Sequence, residues 1–108
     1  MIQDIECAVI GKWRITAADL WDRDYLDLME PAHITFERNG HGEIAFGCVN
    51  AGLDCEYSKR IIFFTWQGFD EMDEVNGDGS AEIGDDDALK IEIQFHRGDE
   101  AAMKARRW

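Results

Sequence analysis

The sequence predicts a mainly β fold. It is a single antiparallel barrel, or strongly bent sheet, of about eight strands over residues 1–108, with one amphipathic helix at 17–30 between the first two strands. Three observations carry this. Apolar and polar residues alternate with period two over most of the chain, the mark of half-buried strands. Turn-forming residues recur at short intervals, which makes most connections hairpins. Only residues 17–30 space their apolar side chains as a helix does. Eight antiparallel strands without strong edge protection favour closure, because an open edge leaves backbone groups unpaired.

The first strand follows from the shared parity of Ile5, Cys7, Val9, Gly11, Trp13 and Ile15, with Gly11 as a bend. The helix follows from Ala18, Trp21, Tyr25, Leu28 and Met29 on one side, against Asp19, Asp22, Arg23, Asp27 and Glu30 on the other. Thr16 with Asp19 resembles a capping box, and Pro31 is the stop. Ile34 and Phe36 then pair across Asn39-Gly40 with Ile44, Phe46 and Cys48. A loop of three or five residues keeps Phe36 and Ile44 on one face, and a two-residue loop does not. A turn at Ala51-Gly52 leads to Leu53, Cys55 and Tyr57, and a turn at Lys59-Arg60 leads to Ile62, Phe64 and Trp66. Ile61 and Phe63 face the other way and call for a cover, for which the helix is the candidate. After Gly68 a loop of about ten residues is expected, then Ala81 and Ile83 paired with Leu89, Ile91, Ile93 and Phe95. A last strand runs from Ala101 to Arg107.

Composition narrows function. Eleven basic against 23 acidic residues give a net charge of −12, which argues against direct nucleic-acid binding or attachment to an anionic membrane. No apolar run reaches the ~20 residues of a membrane helix. Residues 1–6 show no signal-peptide pattern, so a cytoplasmic location is expected, with the three cysteines as thiols. The charge is uneven. Residues 70–87 hold nine acids and no base, whereas Arg97, Lys104, Arg106 and Arg107 make the end of the chain basic.

The two chain ends connect through one motif. Gly11-Lys12-Trp13 on the first strand, with Arg106 and Arg107 on the last, resembles the calycin barrels, the lipocalins and fatty-acid-binding proteins among them. That resemblance implies an indole plugging one barrel end beneath a guanidinium, and a small apolar ligand within the barrel. It assigns Gly11, Trp13, Arg106 and Arg107 to barrel closure. Over nearly its whole length the chain also resembles a small family of uncharacterised bacterial proteins. The residues that carry this are Gly11-Lys12-Trp13-Arg14-Ile15, Leu20-Trp21-Asp22 with Asp24-Tyr25, Phe46-Gly47-Cys48-Val49, Leu53-Asp54-Cys55, Trp66 with Gly68, Asp70-Glu71 and Asp73, Phe95-His96 with Gly98-Asp99, and Lys104-Ala105-Arg106. The resemblance implies no activity.

Few residues point to chemistry. Glu74 to Asp85 approximates a calcium loop, but Glu replaces Asp at position one and Asp replaces Glu at position twelve. An Asn-Gly/Asp-Gly turn explains it better. A turn at Ala51-Gly52 sets Cys48 opposite Cys55, a zinc or redox pair on one reading and two small buried hydrophobes on the other. His33 starts a strand and His41 sits in an exposed turn. His96 ends an apolar strand near Asp70, Glu71 and Asp73, where a histidine–carboxylate pair could do acid–base work or hold a metal. The only serines are Ser58 and Ser80, with no nucleophile motif, and Arg97-Gly98-Asp99 is a chance tripeptide. No catalytic residue, metal set or cofactor is assigned.

Three functions compete. The first is a non-enzymatic small-molecule-binding barrel with Phe46, Tyr57, Phe64, Trp66, His96 and Arg106 at its site. The second is an acidic module docking a basic protein partner, with a homodimer through Ile61 and Phe63 as a variant. The third is an enzyme or metal site using His96 with Asp70 and Asp73. A filled core of aromatic side chains stands against the first, because a barrel this small fills with its own side chains.

Overall fold

The computed structural model describes residues 7–108. Ile5 and the residue 1–6 segment read for a signal peptide lie outside them. The fold is mainly β, with 62 % of the described residues in strands. Eight strands run in order: β1 (Gly11–Ala18), β2 (His33–Phe36), β3 (His41–Phe46), β4 (Val49–Tyr57), β5 (Ile61–Asp70), β6 (Asp73–Ile83), β7 (Leu89–Phe95) and β8 (Glu100–Arg107). One short helix, α1 (Arg23–Leu26), stands between β1 and β2. Each strand pairs antiparallel with the next, and β8 returns to β1, so the barrel is closed. No helix of the described residues is long and apolar enough to cross a membrane.

Closure rests on β1, which pairs with β2 through Gly11–Arg14 and with β8 through Trp13–Ala18. A register shift between Ile15 and Ala17 bends it on the β8 side. The inward parity is apolar throughout. Trp13, Ile15, Ile34, Phe36, Ile44, Phe46, Ile62, Ile91, Ile93 and Met103 are all less than 2 % exposed. Each such side chain contributes roughly 1.5–3 kcal/mol by leaving water.

The β2–β3 hairpin has the three-residue loop that keeps Phe36 and Ile44 inward, with Ile34 opposite Ile44 and Glu37 N–H donating to His41 O at 2.9 Å. The Lys59-Arg60 turn also forms, with Tyr57 opposite Ile62.

Four elements differ from expectation. Cys7 to Ile10 are not strand, and β1 begins at Gly11. The helix is four residues, not fourteen. Asp19 turns to β8, its backbone N–H donating to Ala102 O at 3.0 Å and its carboxylate accepting from Ala102 N at 2.9 Å. Asp22 therefore supplies the N-cap, accepting from Tyr25 N at 2.9 Å. Asp27 is drawn off to Arg14 and ends the helix before Pro31. Only Leu26 of the helix is buried, and Leu28 and Met29 are exposed. The helix leaves Phe63 uncovered, 54 % exposed.

The turn expected at Ala51-Gly52 lies instead at Gly47-Cys48, where Phe46 pairs with Val49. Cys48 and Cys55 are thus not opposite each other, and Cys55 pairs with Phe64. The long loop after Gly68 is absent too. β5 and β6 form a hairpin with only Glu71 and Met72 between them. The glycines read as turn signals lie mid-strand, tight against the β7 backbone and the rings of β5. Gly77 lies opposite Trp66, where a Cβ would stand 1.8 Å from Gln94 O on β7 and 2.9 Å from the indole nitrogen. Gly79 lies opposite Phe64, where a Cβ would stand 2.8 Å from Cζ. A glycine opposite a large aromatic in a strand pair lets the ring lie across the backbone. The calcium-loop reading of 74–85 falls with this loop, because most of the segment is strand.

Candidate functional site at the open barrel end

The two barrel ends are built differently. At one end Trp13 is fully buried and its indole N–H donates to Val9 O at 2.9 Å. The Arg107 guanidinium lies 4.0 Å over that ring. It also donates to Ile10 O at 2.8 Å and Ala8 O at 2.7 Å. Gly11, with φ of +127°, makes room, since a Cβ there would stand 2.6 Å from Arg107 Nη1. This end is sealed. Arg106 takes no part: it is exposed and pairs in register with Arg14 on the outer face.

At the other end β1 runs out into the α1 segment. Three tethers hold that segment across the mouth. Arg14 forms a two-point ion pair with Asp27, both contacts 2.8 Å, and Asp27 also accepts from Ala32 N at 3.0 Å. The Arg14 partner pulls the Asp27 carboxyl down to about 2. Asp19 is tied to Ala102 as above. Gly47 N–H donates to Leu26 O at 2.8 Å, and the Tyr25 ring lies directly on Gly47, whose φ is +56°.

The segment leaves part of the mouth open. A pocket of about 350 Å³ is lined by Trp21, Tyr25, Val49, Asp70, Val75, Phe95, His96, Gly98 and Asp99. Its aromatic wall is braced from behind. Trp21 lies 5.0 Å from Phe46 and 6.0 Å from Tyr25, and Phe95 meets Trp66 edge-on at 4.9 Å. Desolvation, with Asp70 and Glu71 adding, raises the Tyr25 phenol above its ordinary value, so it stays neutral. Beside the pocket the donor atoms of Cys48, Asp70 and Glu71 lie within 4.8 Å of one another. Desolvation, then Glu71 and Asp70, raises the Cys48 thiol, which keeps it protonated and a poor metal ligand near neutral pH.

The expected site residues scatter. His96 and Asp70 do line the mouth. Phe46 and Trp66 stand one layer behind it, at 1 % and 2 % exposure, and the Trp66 indole donates to Asp78 O at 3.2 Å. Phe64 is deeper still, 6.1 Å from Phe36. Tyr57 sits toward the sealed end, donating to Glu37 O and accepting from Gly40 N at 2.9 Å. The four do not form one lining: Phe46, Phe64 and Trp66 are buried core side chains and Tyr57 is half-buried at the far end. Asp73 pairs with Asp70 across the turn but is exposed and outside the pocket lining. Among the described residues His96 has no carboxylate at ion-pair distance; the paired histidines are His33 with Glu43 at 3.2 Å and His41 with Asp54 at 3.5 Å. Sequence reasoning missed Trp21 and Tyr25, which it read as the core-facing side of a long helix. The departing signal was the acidic cap candidate Asp22 three residues before Tyr25.

The outer surface carries a second feature. Asp54 and Glu56 on β4, Glu74, Asp78 and Glu82 on β6, and Glu92 on β7 are exposed around β5, which presents Phe63, Thr65, Gln67 and Phe69 outward. Open grooves of about 730 and 590 Å³ cross this face. Lys12, Lys104 and Arg106 lie exposed on β1 and β8. No family model, curated protein or solved structure matches the chain.

Proposed function

We propose that this chain is a non-enzymatic small-molecule-binding barrel, calycin-like in its indole–guanidinium closure, that binds at its open mouth rather than in its interior. The observation that carries this is the pocket joining three aromatic walls, Trp21, Tyr25 and Phe95, to the polar groups of Asp70, His96 and Asp99. Binding sites are typically concave, largely apolar and set with a few convergent polar groups. The filled interior supports the outward placement, since the inward side chains leave water almost completely. Chemical-shift mapping of a fragment library on the full chain tests it. Hits should move the Trp21 indole and the amides of Val49, Asp70 and 95–99 together. Hits that move only inward residues of β2, β3 and β7 would refute it.

A second reading rests on the outer face. Six acids around two exposed phenylalanines, Phe63 at 54 % and Phe69 at 52 %, suit a basic, partly apolar protein segment. A lysine–leucine peptide should shift Asp54, Phe63, Thr65 and Phe69, with affinity falling as salt rises. No shift there at low salt would remove this reading. Sedimentation as a clean monomer at high concentration would remove the homodimer variant.

A further inference from the structure

We infer that the mouth pocket selects a small organic ammonium ion. This deepens the small-molecule reading above and rests on it. The lining holds two carboxylates, Asp70 and Asp99, and no lysine or arginine. Glu71 adds a third carboxylate beside Asp70. An anionic ligand would enter against all three, within a chain of net charge −12. A neutral ligand would gain nothing from the carboxylates.

The aromatic wall points the same way. Trp21, Tyr25 and Phe95 line the pocket, and aromatic rings attract a cation, indole best. The rings are fixed before any ligand arrives. Phe46 braces Trp21 at 5.0 Å, Trp66 braces Phe95 at 4.9 Å, and Trp21 and Phe95 lie 6.2 Å apart. Little ordering is then left for the ligand to bring about. Size completes the match. About 350 Å³ is near the small end of ligand pockets, so the guest is an alkyl- or methylammonium rather than a nucleotide or fatty acid.

The test compares three shape-matched probes on the full chain by amide and indole NMR. Choline carries the charge, 3,3-dimethylbutanol is its neutral counterpart, and 3,3-dimethylbutanoate is anionic. Choline should bind at least about tenfold tighter than the alcohol, with saturable shifts at Trp21, Val49, Asp70 and 95–99, and the anion should not bind. Asp70→Asn with Asp99→Asn should lower the choline affinity severalfold and bring it toward that of the alcohol measured on the same variant. Equal binding of alcohol and choline at the mouth would overturn the ammonium inference and leave the mouth site standing. Choline shifts spread over the outer acidic face would overturn it as well. No shift at the mouth with any probe would overturn both.

Discussion

Replacing Gly47 by alanine perturbs the backbone and the mouth at once. Gly47 has φ of +56°, and a Cβ there would overlap the ring of Tyr25. The left-handed conformation costs alanine about 1 kcal/mol. Forcing the phenol ring off its seat costs about 2 kcal/mol more, the usual scale of overpacking. Gly47→Ala should therefore lose about 3 kcal/mol of stability, read as a lower midpoint with an unchanged slope in urea unfolding followed by tryptophan fluorescence. The decisive comparison uses Tyr25→Ala as background. With no ring to displace, Gly47→Ala should cost only about 1 kcal/mol, leaving a coupling of about 2 kcal/mol. Equal costs in the two backgrounds would mean that Tyr25 does not rest on Gly47, and the α1 segment would lose its seat over the mouth. The same variant should also blunt fragment shifts at Trp21.

Three further outcomes follow from the tethers and thiols. Arg107→Ala should lose about 2 kcal/mol from its two carbonyl bonds and its stacking on Trp13, and Arg107→Lys should restore only part; a loss below about 0.5 kcal/mol in urea would show that the sealed end needs no guanidinium. Asp27 titrates from 3.8 unfolded to about 2 folded, so the unfolded chain binds more protons in that window and stability falls as pH drops through it. Asp27→Asn should cost about 1 kcal/mol at pH 6 after allowance for solvent screening, and the gap to the native protein should shrink as pH falls from about 4 through about 2; a gap independent of pH would contradict the ion pair's role. Cys55, pushed up to about 11 by burial and by Asp54, should react with iodoacetamide far more slowly at pH 8 than a cysteine in an unfolded peptide, and a peptide-like rate in the folded chain would contradict its placement beside Phe64.

The barrel was legible because its evidence is periodic. Alternation in β2, β5, β7 and β8 survives any local detail, and the three-residue loop that keeps Phe36 level with Ile44 follows from parity alone. What failed was punctuation. Gly77 and Gly79 read as a turn because glycine signals turns locally, yet both sit mid-strand, where a Cβ would meet the Gln94 and Glu92 carbonyls of β7 and the rings of Trp66 and Phe64. Gly52 also lies mid-strand, opposite Gln67 and with open space at its Cβ position, while Gly47 marks the real turn. The helix was overdrawn because helical spacing says nothing of competitors for the capping groups. Asp19 and Asp27 both left the helix, one for Ala102 and one for Arg14. Asp70 and His96, singled out as neighbours across a turn, both line the mouth pocket. Trp21 and Tyr25 were not, because their role depends on where a shortened helix docks. The charge asymmetry was visible along the chain, but only the register distributes it around β5.

Xenon binding followed by methyl NMR under pressure tests most directly whether the barrel is filled and binds only at its mouth. Xenon enters apolar space that water leaves empty. The expected result is shifts at the methyls of Val49 and Val75, which line the mouth, with Ile15, Ile34, Ile44, Ile62, Ile91 and Ile93 unmoved. Saturable shifts at those six isoleucines with the valines silent would reveal an interior cavity and contradict binding at the mouth.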